Sequence, residues 1–152
     1  MESVLPIPSS IFERAVLFDT SALVAIADQR DKYHQEAYKC FADIVGRRYP
    51  LYVTTLTIAE THRQILHRPA LGYPKALDFL TSIFDGDTNI LVFNQEDQRK
   101  AIELIKKFDD QELTFTDAMS MSVMIRMGLK KAFTFDRHFE LPRIFEIIPP
   151  LI

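Results

Sequence analysis

Short apolar runs recur along this chain, and each is followed by a stretch whose apolar residues return every three or four positions. That alternation limits the fold more than any other feature. Residues 15–18 (AVLF), 51–53 (LYV), 89–93 (NILVF) and 132–135 (AFTF) read as strands, and 145–148 (FEII) as a candidate fifth. Helical spacing fills the intervals. It runs over 19–27, over 32–45 (Tyr33, Ala37, Phe41 and Ile44/Val45), and over 54–67, ending before Pro69. It continues over 74–84, along the face made by Ala101, Ile102, Leu104, Ile105 and Phe108, and over 116–127. Gly46 and Gly128 stand where the second and last of these helices would stop. Strands alternating with helices specify an α/β fold, a parallel sheet covered on both faces. Strands that are apolar throughout, rather than alternating, agree with two covered faces. The expectation is a three-layer α/β/α sandwich with a central parallel sheet of about five strands. Residues 1–14, with Pro6 and Pro8, form an irregular lead-in, and 15–152 a single domain.

In such sheets the crossovers are right-handed and ligands bind outside the carboxyl ends of the strands. Four acids are placed to meet there. Asp19 follows the first strand and Asp136 the fourth; Glu60 and Asp117 sit near the starts of helices. Glu60 belongs to the helix after the second strand, so it starts at the same edge. Asp117 reaches that edge only if residues 106–113 carry the chain back to it. Each acid also has a local explanation. Asp19 suits a helix N-cap, Thr57-x-x-Glu60 and Thr114-x-x-Asp117 match capping boxes, and Asp136 suits a turn. Capping does not require convergence, and convergence has its own energetics. Two carboxylates about 4 Å apart repel by about 4 kcal/mol at an effective dielectric of 20. Relief comes from a bound cation or from a retained proton. Oxygen donors without His or Cys companions suit Mg²⁺ or Mn²⁺ rather than zinc. A water retained on such an ion is a nucleophile for phosphodiester hydrolysis.

Composition removes competing classes. The 152 residues carry a net charge of −3 and are 47% apolar, an ordinary globular mixture. Any attraction for nucleic acid must therefore be local. The single Cys40 excludes an internal disulfide and fits a reducing compartment. No apolar run approaches the roughly 20 residues of a membrane helix, and the N-terminus lacks a signal-peptide pattern. A cytoplasmic protein without membrane association is expected.

The ordered motifs VLFDTSALVA, TTLTIAET, LTFTDAMSM and AFTFDRHF resemble those of a PIN domain over about residues 15–148. They are most similar to the VapC-like toxin nucleases of type II toxin–antitoxin pairs. The resemblance implies a five-stranded parallel sheet, a homodimer, and Mg²⁺-dependent hydrolysis of RNA to a 5′-phosphate and a 3′-hydroxyl. It also implies a cognate antitoxin as partner. Asp19, Glu60, Asp117 and Asp136 fall on the family's acidic positions. Asp19, Asp117 and Asp136 are expected to hold the metal, and Glu60 to orient a water on it. Thr20, Ser21 and Thr116 are expected to donate hydrogen bonds to the carboxylates, or else to cap helices.

Substrate contact needs cations beside the acids. Glu60, Arg63, Gln64 and His67 share one helix face, so Arg63 can reach a flanking phosphate. Arg137, next to Asp136, is the second expected backbone contact. Solvated polar surface is the competing reading for both. Neither His34 nor His138 is needed as a general base. The methionines at 119, 121, 124 and 127 are read as core or dimer packing. Asp28, Asp31, Asp109 and Asp110 are read as solvated acids. Two other functions compete: a PIN-like module that binds RNA or protein without cutting it, and a phospho-acceptor domain. Lys130 and Lys131 stand at the wrong end of the fourth strand for the latter.

Overall fold

A computed structural model describes residues 13–151; most of the expected lead-in lies outside the described residues. Five strands form one sheet: β1 (Val16–Phe18), β2 (Leu51–Thr54), β3 (Asn89–Leu91), β4 (Lys131–Phe133) and β5 (Glu146–Ile148). Their order is β3-β2-β1-β4-β5, and every pair is parallel. The helices are α1 (Thr20–Ala27), α2 (His34–Gly46), α3 (Thr55–Leu66), α4 (Gly72–Asp85), α5 (Gln95–Lys107) and α6 (Phe115–Met127). A 3₁₀ turn, Arg137–Glu140, lies between β4 and β5. The expected three-layer sandwich is the observed one.

Strand periodicity divides the core in two. Leu17, Tyr52 and Ala132 face a cluster with Ala101 and Leu104 of α5 and Ala118, Met121 and Met124 of α6. Val16, Phe18, Val53 and Phe133 face the opposite cluster, with residues of α1, α2 and α4. There the Phe18 ring lies 5.9 Å from Phe41 and 5.7 Å from Phe133. The methionines expected in the core are in it: Met119, Met121 and Met124 are buried, and Met127 packs against them.

Two features place the site. The sheet grows from β1 to β2 to β3 in one direction and resumes with β4 on β1's other side. The carboxyl ends of β1 and β4 therefore flank the topological switch point, where neighbouring crossovers leave on opposite faces and open a crevice. The second feature is the return of the chain after α5. The N-terminus of α5 is tied to the C-terminal half of α6: Ser122 Oγ donates to the Asp97 carbonyl at 2.7 Å. Arg126 also donates from Nε and Nη2 to the two Asp97 carboxylate oxygens, at 2.7 and 3.0 Å. The two helices thus run antiparallel. The turn between them, with Glu112 at φ 53°, delivers the start of α6 to the crevice.

Several local expectations are corrected. Gly46 is the last residue of α2 rather than its stop; the positive φ after that helix falls on Arg48, at 58°. Gly128 does close α6, in the left-handed conformation that lacks a Cβ penalty. Thr57 is not a cap, because Thr54 takes that position and accepts the Thr57 N–H at 3.1 Å. β3 ends two residues earlier than expected. Asn94 and Asp97 then make a closed capping box, each side chain accepting the other's backbone N–H. Asp28 is not solvated. It is 4% exposed and, with Asp31, accepts from Arg68 at the end of α3.

Asp97 joins a cap, a buried carboxylate and the α5–α6 contact. Replacing it with Ala is expected to lower the unfolding free energy by about 2 kcal/mol, from the lost cap and the unpaired Asn94 and Arg126 donors. Urea denaturation checks this, and a loss below about 0.5 kcal/mol, within the range of ordinary surface substitutions, would contradict it.

Candidate metal centre

Asp19 follows β1 directly and occupies the N-cap position of α1, yet its side chain caps nothing. Its Oδ2 instead accepts from Thr134 Oγ1 at 2.7 Å and from Ser21 Oγ at 2.8 Å. These hydroxyls also receive backbone N–H groups from the β4 exit: Asp136 donates to Thr134 Oγ1 and Phe135 to Ser21 Oγ, both at 2.9 Å. The two strand ends at the switch point are stitched together through the carboxylate of Asp19. That residue is 2% exposed, and burial pushes its pKa up. Thr134 and Ser21 act against the shift, and the charge of Asp136 acts with it.

Asp117 enters from the first turn of α6. Thr114 caps this helix by accepting the Asp117 N–H at 3.2 Å. The reciprocal half of the expected capping box is missing, because the carboxyl group turns into the crevice. There its pKa is pushed up to about 9. Burial is the first cause, then the charge of Asp19, then a hydrogen bond to Asp136 that only the protonated acid donates. Asp136 caps the 3₁₀ turn, accepting the His138 N–H at 2.9 Å, and this cap aims the imidazole at the acids. His138 Nδ1 lies 3.3 Å from Asp136 Oδ1 and 3.5 Å from Asp117 Oδ2. It is buried without a hydrogen-bond partner. Among the described residues, Asp117, Asp136 and His138 offer ligand atoms within 4.8 Å of one another.

Three of the four expected acids therefore converge, although Asp19 stands just behind the tight group. The donor set fits a divalent cation: the Asp19 and Asp117 carboxyls are driven toward their neutral forms, by burial first, and a buried ring nitrogen faces Asp117 and Asp136. His138 Nδ1 stands beside the expected oxygen donors. Glu60 does not join them. It lies in the second turn of α3, 3.4 Å from Gln64 Nε2. It lines an adjoining cleft of about 510 Å³ with Arg63, Gln64, His67 and Thr116. Thr116 faces this cleft and makes no hydrogen bond to a carboxylate. The Thr20 hydroxyl is buried without a partner, while Ser21 holds Asp19 as expected. On the other flank a second depression, of about 550 Å³, is lined by Arg137, His138 and Arg143.

Thr134 is the site residue that sequence reasoning missed, and His138, weighed there as an unneeded general base beside Asp136, stands nearer the acids than expected. Both lie inside the AFTFDRHF motif, two residues before and two after Asp136, and that spacing was their available signal. Nucleophilic thiol chemistry has no support, since burial and then the Asp43 charge raise the Cys40 pKa to about 11.

The raised pKa of Asp117 has a stability consequence. An unfolded Asp titrates near 4, so between about pH 4 and 9 the metal-free fold holds a proton that the unfolded chain has released. The stabilising protonation is present in full below about pH 4 and is lost as pH rises through about 9. Thermal unfolding of metal-free protein should thus show a midpoint falling from pH 5 to 9. Asp117→Asn should flatten that slope and raise the midpoint at pH 8. A midpoint rising over this range would overturn the assignment.

No curated protein matches the chain. Solved structures do. VapC20 of Mycobacterium tuberculosis, described as a toxin that cleaves the sarcin–ricin loop, superposes with a TM-score of 0.77. It is 21% identical, over 86% of this chain and 97% of that one. VapBC2 of Rickettsia felis, bound to promoter DNA, gives 0.64 at 13% identity, over 88% and 96% of the two chains. A toxin–antitoxin complex from Klebsiella pneumoniae gives 0.62 at 16%, over 90% and 95%. The sequence profile of the PIN domain matches residues 16–143, from the first strand through the 3₁₀ turn and beyond. With that match over most of its length, the chain belongs to the PIN domain family.

Proposed function

We propose that this protein is a divalent-metal-dependent endoribonuclease and the toxin of a toxin–antitoxin pair. The observation that carries the reading is the meeting of Asp19, Asp117 and Asp136 at the switch point, with two of the carboxyls pushed toward neutrality. N-capping explains neither side chain, since Asp19 makes no side-chain cap hydrogen bond and Asp117 does not close a capping box onto the Thr114 backbone N–H. The superposition on toxins and toxin–antitoxin complexes supports the biological role.

Asp19, Asp117 and Asp136 are assigned to hold Mg²⁺ or Mn²⁺. When bound, such an ion neutralises phosphoryl charge and lowers the pKa of a coordinated water. Ser21 and Thr134 keep the Asp19 carboxylate turned into the crevice. Glu60 is assigned to orienting water from the neighbouring cleft. Arg63 on one flank and Arg137 on the other are assigned to RNA phosphates, so the strand crosses the acids between two depressions that each carry arginine. Hydrolysis leaves a 5′-phosphate and a 3′-hydroxyl. Partners are the RNA substrate, a cognate antitoxin and a second copy of the chain. Large exposed apolar side chains, among them Tyr38, Tyr73, Leu77, Phe84 and Phe115, supply surface for the protein partners. No helix among the described residues is long and apolar enough to cross a membrane, and a cytoplasmic location is proposed.

Purified protein with Mn²⁺ is expected to cut structured RNA, and Asp19→Asn and Asp117→Asn to abolish cutting with the fold intact by circular dichroism. Thr134→Val, which removes the hydroxyl at nearly constant shape, should reduce the rate about 10–100-fold, the usual cost of losing a partner that orients a metal ligand. Full biological effect from both Asn variants would instead favour a binding module that does not cut.

A further inference from the structure

The donor set at the crevice is not purely acidic, and this bears on which ion it takes. His138 Nδ1 is buried and unpartnered, and it faces carboxylate oxygens of two residues at 3.3 and 3.5 Å. At these separations an imidazole N–H would ordinarily donate, but neither approach has the geometry of a hydrogen bond. Three electron-rich atoms therefore surround a shared space. Adjacent ligand atoms around an octahedral ion with bonds near 2.1 Å are about 3 Å apart, close to the separations seen here. The ring is held in place rather than lying across the site by chance. Its own backbone N–H is fixed to Asp136 Oδ1, and the following Phe139 is fully buried.

We infer that His138 is a ligand of the metal through Nδ1 and tilts this centre away from Mg²⁺ toward a first-row transition ion. The inference rests on the metal-dependent reading above and deepens it. Mg²⁺ is a hard cation that takes oxygen donors and gives up water reluctantly. Imidazole nitrogen is a good donor to first-row transition ions and adds little for Mg²⁺. A ligand set of two or three carboxylates and one imidazole separates the two classes of ion in a way that four carboxylates do not.

The test uses Mn²⁺ as probe, because its unpaired electrons report on directly bound nitrogen. Electron spin-echo modulation of the full chain loaded with Mn²⁺ should show coupling to one imidazole nitrogen, absent in His138→Ala and His138→Gln. By isothermal titration, each variant should lose at least about 10-fold in Mn²⁺ affinity, the scale on which even weaker metal-site contacts are felt. Mg²⁺ affinity should fall less, so that the Mn²⁺/Mg²⁺ ratio drops. Mn²⁺ binding without nitrogen coupling in the wild type would overturn the assignment of His138 and leave the nuclease reading standing. An equal rise in affinity for both ions in the variants would overturn it too, since His138 would then be a cation competing with the metal. Failure of the wild type to bind either ion would sink both readings. The spectroscopic arm reads the wild type and does not depend on the variants folding.

Discussion

Repulsion among carboxyl groups that the fold does not allow to separate is the constraint on which the rest of this molecule turns. Asp19 and Asp117 are buried, with Asp136 at the mouth, and each sits on a different segment. Water cannot screen charges in such a crevice well, so each ionisation raises the free energy of the next. Some partner must accept the negative charge: a proton, the His138 ring or a divalent ion. The sheet order makes the arrangement possible, because only between β1 and β4 do neighbouring connections diverge to leave a crevice. The hydroxyls of Ser21 and Thr134 complete it by fixing the Asp19 carboxyl group at the junction of the two strand ends.

The chain contains its own control for this argument. Asn94-x-x-Asp97 and Thr114-x-x-Asp117 are the same local pattern, a polar cap followed three residues later by Asp at the head of a helix. In the first, the box closes and Arg126 pairs with the carboxylate. Burial alone would raise the Asp97 pKa, but the Arg126 hydrogen bond and charge, with the Asn94 N–H, bring it below the usual range. In the second, the box stays half open, other acids replace the arginine, and the carboxyl is driven up to about 9. Local sequence does not distinguish the two. The distinction is made by which segment arrives from elsewhere, α6 with Arg126 in one case and the β1 and β4 exits with their aspartates in the other.

That difference also marks how far the sequence could be read. Periodicity exposed nearly every element, since burial on two faces leaves continuous apolar strands and single-faced helices leave a 3.6-residue stripe. Asp19 was legible because a residue directly after a parallel strand lies at the ligand-binding edge whatever its side chain does, and Asp136 because it follows β4 by only three residues. Thr134 was not legible: it sits in an apolar run, and only the β1–β4 pairing shows that its hydroxyl meets Asp19. The approach of His138 to the acids was hidden for a related reason, because a 3₁₀ turn rather than a loop follows Asp136 and folds the ring back. Asp28 looked solvated because its partner, Arg68, is forty residues away. Glu60 lies on the expected helix, but it lines the cleft beside the acids instead of meeting the acids themselves.

Helix α6 explains why the tension at the site persists. From Asp117 to Met124 every residue is buried, so the central two turns of this helix have no solvated face on which to slide or roll; exposure is confined to its ends, as at Phe115 and Ile125. It is held at one end by the Thr114 cap and at the other by the left-handed Gly128 and the Arg126–Asp97 pair. Flexible methionines fill the contacts with the sheet, which lets the packing be tight without demanding a particular shape from each neighbour. A surface helix bearing Asp117 would relieve the repulsion by moving outward a fraction of an ångström. Turns surrounded on all sides cannot, because interiors packed at crystal-like density resist small displacements. The charge must then be met where it stands, and a rigid set of donors is a better host for an ion that keeps only part of its water shell than for a mobile counter-ion.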